Sequence, residues 1–278
     1  MSLEISAICT DIDGTLLDSQ RQLSQQTIAT VKRLENKIPF VLASSRMPAA
    51  MRHLQAELGI LKDPLIAFNG GYVIQYIEGN DTPVVYDSVE IPVSIVAAIV
   101  ELTNGREVSV SLYNRDDWYA PARDYWTERE EKITKVTSVI KAPAEVIELW
   151  KTNGKGAHKV MCMGKEQQID FIERELNNRF PNDLHNYRSR PTYLEIAPKA
   201  ISKGSALEMI MKKLYGKSLE RVMSFGDNYN DIEMLRMSGI GIAVSNARRE
   251  VLDVASEVTD KSTDDGVAKS IAKYCFNA

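Results

Sequence analysis

Leu3-Glu4-Ile5-Ser6-Ala7-Ile8-Cys9-Thr10 alternates, then runs apolar, and stops at Asp11-Ile12-Asp13-Gly14. An apolar run of that length, closed by an acidic turn with a glycine, reads as a buried strand ending in a loop. The same plan then repeats. Ser24 can cap a helix whose apolar face is Ile28, Val31 and Leu34. Ile38 to Ala43 is a second buried strand and ends at Ser44-Ser45-Arg46. Pro48 suits the first turn of a helix carrying Met51, Leu54 and Leu58, with Gly59 at its end. Leu65 to Phe68 is a third strand, stopped by Asn69-Gly70-Gly71. Strands alternating with helices predict an α/β fold with a Rossmann-like, doubly wound parallel sheet.

Beyond this point the rhythm changes. Tyr72 to Ile77 and Val84 to Tyr86, separated by Gly79-Asn80-Asp81, read as a hairpin. Short strands and helices then mix: helices over 94–102, 144–150 and 167–177, extended stretches over 108–112, 158–163 and 184–187. Antiparallel sheet with helices on one face fits that mixture, so residues 84–190 are expected to form an inserted α+β domain. Leu194 to Ile196 reads as a strand, and Lys203-Gly204 opens a helix through Tyr215. Arg221 to Phe225 is a buried strand stopping at Gly226-Asp227, Asp231 to Met237 is helical, and Ile240 to Val244 is another strand. The parallel core is therefore expected to comprise residues 1–83 and 191–278.

Bulk properties narrow the function. The 278 residues exceed the usual size of one domain, and 44% hydrophobic with 26% charged content is ordinary for a globular chain. Net charge is −4, and the basic pair Lys212-Lys213 lies in a helical stretch, so no footprint for nucleic acid is expected. Cys9, Cys162 and Cys275 are odd in number and far apart, which argues against a disulfide framework or a zinc site. No apolar run reaches the roughly 20 residues needed to span a bilayer, and the acidic start does not resemble a signal peptide. A cytoplasmic protein, monomeric or weakly self-associating, is expected.

In open parallel sheets, ligands bind beyond the carboxyl ends of the strands. Asp11 and Asp13, Ser44, Asn69, and Asp227 all follow such ends, so they are expected to converge on one rim. Three carboxylates in a small cleft repel one another unless a cation relieves them. Mg²⁺ does so with oxygen ligands while retaining room for a phosphate oxygen. Lys203, at the mouth of a helix, adds a second positive charge, and the Ser44 hydroxyl and Asn230 amide can donate to phosphate. The set suits phosphate transfer.

Asp11-Ile12-Asp13-Gly14-Thr15-Leu16-Leu17, Ser44, Lys203-Gly204 and Gly226-Asp227-Asn228-Tyr229-Asn230-Asp231, in that order, resemble the haloacid dehalogenase superfamily. Ala43-Ser44-Ser45-Arg46, Asn69-Gly70-Gly71, Leu194-Glu195-Ile196 and Asp265-Gly266-Val267-Ala268 narrow the likeness to its Cof-type phosphatase branch. The resemblance spans essentially the whole chain and implies an α+β cap where the inserted domain was placed. It implies that Asp11 is the nucleophile that forms an aspartyl-phosphate, and that Asp13 is the acid and base. Ser44, Lys203 and Asn230 would hold the phosphoryl group. Mg²⁺ would take the Asp11 carboxylate, the Asp13 backbone carbonyl and Asp227, with Asp231 bracing Lys203 or the metal's waters. Many relatives carry Thr-Gly-Arg at Ser44-Ser45-Arg46, so the hydroxyl is kept and a side chain is added at Ser45.

The expected substrate is a small phosphorylated metabolite, first of all a sugar phosphate. Pyridoxal phosphate, flavin mononucleotide and nucleotides are alternatives, as are a phosphomutase and a non-catalytic phosphosugar-binding regulator. Arg46 and Asn69, next to the rim, are the expected substrate contacts. Tyr113 to Tyr119 reads as a hairpin tip and His158-Lys159 as a solvated strand end.

Overall fold

The computed structural model describes residues 4–80 and 82–276; Leu3 and Asp81, placed above in a strand and a turn, lie outside them. The first stretch gives β1 (Ala7–Thr10), α1 (Gln25–Lys32), β2 (Phe40–Ala43), α2 (Ala49–Leu58), β3 (Leu65–Ala67), β4 (Tyr72–Gln75) and β5 (Val84–Ser88). The middle gives α3 (Val93–Thr103), β6 (Val108–Asn114), β7 (Asp117–Ala120), α4 (Tyr125–Thr134), β8 (Val139–Ile140), α5 (Pro143–Asn153), β9 (Lys159–Gly164), α6 (Glu166–Arg179), β10 (Leu184–Arg190) and β11 (Tyr193–Pro198). The last stretch gives α7 (Lys203–Ile210), β12 (Val222–Gly226), α8 (Ile232–Met237), β13 (Ile240–Val244), α9 (Arg249–Leu252), β14 (Glu257–Thr259) and α10 (Gly266–Cys275). A π-helical turn, Met211–Tyr215, extends α7 to the predicted end.

These elements form two compact units. One holds the chain up to Ser45, Met51–Asp87 and the chain from Ser202; the other holds Arg46–Ala50 and Ser88–Ile201. The first unit is built on an eight-stranded sheet in the order β14-β13-β12-β1-β2-β3-β4-β5. From β14 to β3 the neighbours run parallel, and β4 returns antiparallel to β3. β1, β2 and β12 are buried along their whole length. Their unbroken apolar runs follow from that, because a parallel sheet is covered on both faces. On one face, Ala206, Leu207, Ile210 and Met211 pack against Cys9, Val41, Ile66 and Val222.

The second unit is built on a six-stranded sheet in the order β10-β11-β9-β6-β7-β8, antiparallel except where β8 joins β7. Val110 and Leu112 of β6 enter one core with Val96 and Ile99 of α3, Trp150 of α5 and Ile169 of α6. Helices thus cover one face, as the α+β pattern predicted. Tyr113 to Tyr119 is a hairpin tip, with Tyr113 opposite Trp118 and their rings stacked 5.5 Å apart.

The structure corrects three expectations. The strand at Leu194–Ile196 was placed with the parallel core, yet β11 pairs antiparallel with β9 and β10, so the stretch up to Ile201 belongs to the second unit. Conversely, residues 84–87 belong to the first unit, because β5 neighbours β4 in its sheet. His158 and Lys159 are buried, not solvated. His158 Nδ1 accepts the Arg115 N–H at 3.1 Å and its Nε2 lies 3.0 Å from the Ser88 hydroxyl, which satisfies both ring nitrogens inside the protein.

Candidate active site

β12, β1, β2 and β3 are consecutive parallel neighbours, so their carboxyl ends share one rim. The residues that follow those ends are Asp227, Asp11, Ser44 and, after one residue, Asn69. Hydrogen bonds tie them together. Asp11 N–H donates to the Phe225 carbonyl at 3.0 Å, Ser44 N–H to Ile66 at 2.9 Å, and Asn69 N–H to the Ser44 carbonyl at 2.8 Å. Asn230 reaches across with its Nδ2 to Asn69 Oδ1 at 2.9 Å. Phe68 (φ 51°), Asn69 (φ 58°) and Gly70 (φ 106°) form a left-handed run. Such backbone is tolerated by Gly and Asn and costs a bulky residue about 1–3 kcal/mol. At Gly70 even a Cβ would meet the Ser202 carbonyl at 2.5 Å.

Lys203 sits in the first turn of α7, which Ser202 caps by accepting the Ser205 N–H at 2.9 Å. Gly204 follows because an added Cβ would lie 2.9 Å from Met237 Sδ of α8. Lys203 is fully buried, and its Nζ donates to Asp11 Oδ1 at 2.5 Å and to Asp231 Oδ1 at 2.7 Å. Asp231 spends its other oxygen on the N–H groups of Asp227 and Asn228, each at 3.0 Å. Gly226 is required there, since its Cβ would stand 2.4 Å from that of Asp231. Thr15 Oγ1 donates to Asp227 Oδ1 at 2.9 Å. The expected brace, Asp231, is therefore a buried hub.

The electrostatics show what the arrangement lacks. Burial, with repulsion from Asp231 and Asp227, holds the Asp11 carboxyl well above its usual range despite Lys203. Burial and Asp231 push Asp227 up to about 6, against the Thr15 hydrogen bond. For Lys203, burial disfavours the ammonium, but Asp11 and Asp231 outweigh it and hold the group above its ordinary value. Carboxylate oxygens of Asp11, Asp227 and Asp231 lie within 4.8 Å of one another. Such an all-oxygen set, carrying more negative charge than one lysine offsets, fits a hard divalent cation such as Mg²⁺.

Not every expected residue joins this set. The Asp13 side chain is 40% exposed and pairs with Arg21 at 3.4 Å, so in this structure it stands outside the carboxylate triad. Arg46 belongs to the second unit, where its guanidinium donates to the Ala50 carbonyl at 3.2 Å. Sequence reasoning gave no role to Thr15, although it stands in the first acidic string, nor to Asn246, whose Nδ2 donates to the Gly14 carbonyl at 2.8 Å.

A rim of carboxylates and a buried ammonium on a parallel sheet defines a class of phosphate-handling enzyme, and comparison with known proteins makes it specific. A model of the haloacid dehalogenase-like hydrolases matches residues 8–271. A provisionally named phosphatase of Haemophilus influenzae is 31% identical over 264 residues, 94% of this chain and 95% of that protein. The 5-amino-6-(5-phospho-D-ribitylamino)uracil phosphatase YitU of Bacillus subtilis is 26% identical over 96% of each chain. The crystal structure of a haloacid dehalogenase-like hydrolase from Bacteroides thetaiotaomicron superposes with a TM-score of 0.88 at 26% identity, covering 97% of this chain and 99% of that one. The chain belongs to the haloacid dehalogenase superfamily, in its Cof-type phosphatase branch.

Proposed function

We propose that the protein hydrolyses a small phosphorylated metabolite, most readily a sugar phosphate, with Mg²⁺ and through an aspartyl-phosphate on Asp11. The observation that carries this is the buried Lys203 bridging Asp11 and Asp231 beside Asp227, at the shared end of four parallel strands. Mg²⁺, held by Asp11 and Asp227 with the Asp13 carbonyl, would offset charge on the phosphoryl oxygens. Asp11 attacks phosphorus, the bond to the ester oxygen breaks, and Asp13 gives that oxygen its proton. Asp13 then takes a proton from water as water attacks the acyl phosphate, releasing inorganic phosphate and restoring Asp11. Splitting the reaction in two lowers a barrier whose uncatalysed height leaves room for up to ~10²¹-fold acceleration. Ser44 and Asn230 orient the phosphoryl group, and Arg46 and Asn69 are proposed to meet the rest of the substrate.

The sugar-type ester is supported by YitU, whose named substrate carries its phosphate on a ribityl chain. We place the protein in the cytoplasm, where Cys9 and Cys162 would persist as the buried thiols seen here. Among the described residues no helix is long and apolar enough to cross a membrane.

The test is phosphate release from a panel of sugar phosphates, pyridoxal phosphate, flavin mononucleotide, nucleotides and the YitU substrate, with and without Mg²⁺. Metal-dependent release with a sugar or sugar-alcohol phosphate fastest is the expected result. Phosphate returned to substrate through a bisphosphate would instead mark a mutase, and binding with no turnover a regulator.

A further inference from the structure

The carboxylates of the rim stand on two separate loops, Asp11 to Gly14 after β1 and Asp227 to Asp231 after β12. Something must set their spacing. Thr15 does part of this through Asp227, but a third loop touches both. β13 runs parallel to β12 with Phe225 opposite Ile242 and Gly226 opposite Ala243, so the chain leaving Val244 passes beside Asp227. Asn246 in that loop works in two directions. Its Nδ2 donates to the Gly14 carbonyl at 2.8 Å, and its Oδ1 accepts the Ser262 N–H at 2.9 Å. Arg248, two residues on, donates its backbone N–H to the Asp227 carbonyl at 3.0 Å and its Nε to Asn228 Oδ1 at 2.8 Å. Its guanidinium lies 4.8 Å from the centre of the Tyr229 ring. At Gly14 (φ 89°) an added Cβ would stand 2.6 Å from Asp227 Oδ2, so the two acidic loops meet where Asn246 holds the first.

We propose that residues 245–248 are a clasp, with Asn246 and Arg248 as positioning residues that fix the distance between the Asp11 and Asp227 loops and thereby set metal affinity. This rests on the proposed metal-dependent function. Neither side chain is bonded to a carboxylate of the triad; both act on the loop backbone and on Asn228. Partners outside the ligand shell that orient metal ligands commonly matter to affinity as well as to rate.

Calorimetric titration of the full chain with Mg²⁺ alone tests the clasp without any turnover. Arg248→Ala removes a cation near the site, and Asn246→Asp adds an anion while keeping the acceptor for Ser262. By field alone both would bind Mg²⁺ more tightly. The clasp predicts the opposite: a dissociation constant raised about tenfold in each, and in Asn246→Ala as well. Arg249→Ala, which removes a neighbouring charge that pairs, among the described residues, with Asp253, should leave affinity unchanged. Tighter or unchanged binding in Arg248→Ala and Asn246→Asp, with folding intact by circular dichroism, overturns the clasp and leaves the phosphatase reading standing. No Mg²⁺ binding by the unaltered protein, with no metal-dependent turnover, would remove that reading and the clasp together.

Discussion

The two units bury polar groups in opposite ways. In the first, a buried cluster of charged side chains is joined together: Lys203 to Asp11 and Asp231, and Asp231 to two backbone N–H groups. In the second, the buried histidine is kept neutral, with burial and the nearby Arg115 charge lowering His158 to about 3. Moreover, every buried side-chain atom without a hydrogen-bond partner among the described residues, including Ser109 Oγ, Asn114 Oδ1, Trp118 Nε1 and Asn186 Oδ1, falls in the second unit. A buried ionic cluster is rarely the most stable filling for its space, since desolvation offsets most of the attraction. The first unit therefore keeps its charges for chemistry, whereas the second uses polar burial to fix loops.

The sharpest attempt to break this contrast is Asp11→Asn. Turnover should fall by at least about a thousandfold, since no other carboxylate is poised as nucleophile, while circular dichroism stays native. Substantial activity in purified Asp11→Asn protein would contradict the contrast at its centre. Lys203→Met comes next. It leaves two buried carboxylates without their cation and should cost about 3–5 kcal/mol in denaturant unfolding at pH 7.5. Recovery of part of that loss on adding Mg²⁺ is expected, because the metal takes over the neutralising role; a variant as stable as the parent would show the cluster to be dispensable.

The second unit has its own signature in acid. A folded His158 held near 3, against an unfolded value near 6.5, lets the unfolded chain bind a proton that the folded chain refuses. Its contribution is fully present above about pH 6.5 and declines toward pH 3, by about 2 kcal/mol at pH 5. Comparison of unfolding free energies at pH 7 and pH 5 for the parent and His158→Gln should show a shallower decline in the variant. Equal slopes would mean that His158 does not report on this unit. The smallest expected effect is Thr15→Val, which removes one hydrogen bond to Asp227 and should weaken kcat/KM about fivefold, measured at subsaturating Mg²⁺.

Much of the first unit could be read in the chain because its strands are continuous apolar runs cut short by polar groups. Asp11, Ser44 and Asp227 announce themselves as the places where such runs stop. The limits of the second unit could not be read that way. Leu194-Glu195-Ile196 is too short to reveal whether its neighbours run parallel or antiparallel, and of its partners only β10 is near in sequence, β9 lying some thirty residues earlier. α4 escaped notice because Thr127 is its one buried side chain, so no apolar stripe marks it; what starts it is Asp124 accepting the Thr127 N–H at 2.8 Å. Asn246 and Thr15 were silent for a related reason. A single amide or hydroxyl carries no periodicity, and its partner is known only once the chain has folded.

Asp11 and the lysine paired with it are 192 residues apart, and most of the second unit, Ser88–Ile201, lies between them in the chain. At ribosomal speeds of about 5–20 residues per second, Asp11 waits roughly 10–40 seconds for Lys203 to be synthesised. During that interval β1 has no β12 beside it, so the strand destined for the middle of the sheet presents an open edge to solvent. A newborn chain of this kind is a natural client for chaperones, and its translation rate becomes a determinant of yield.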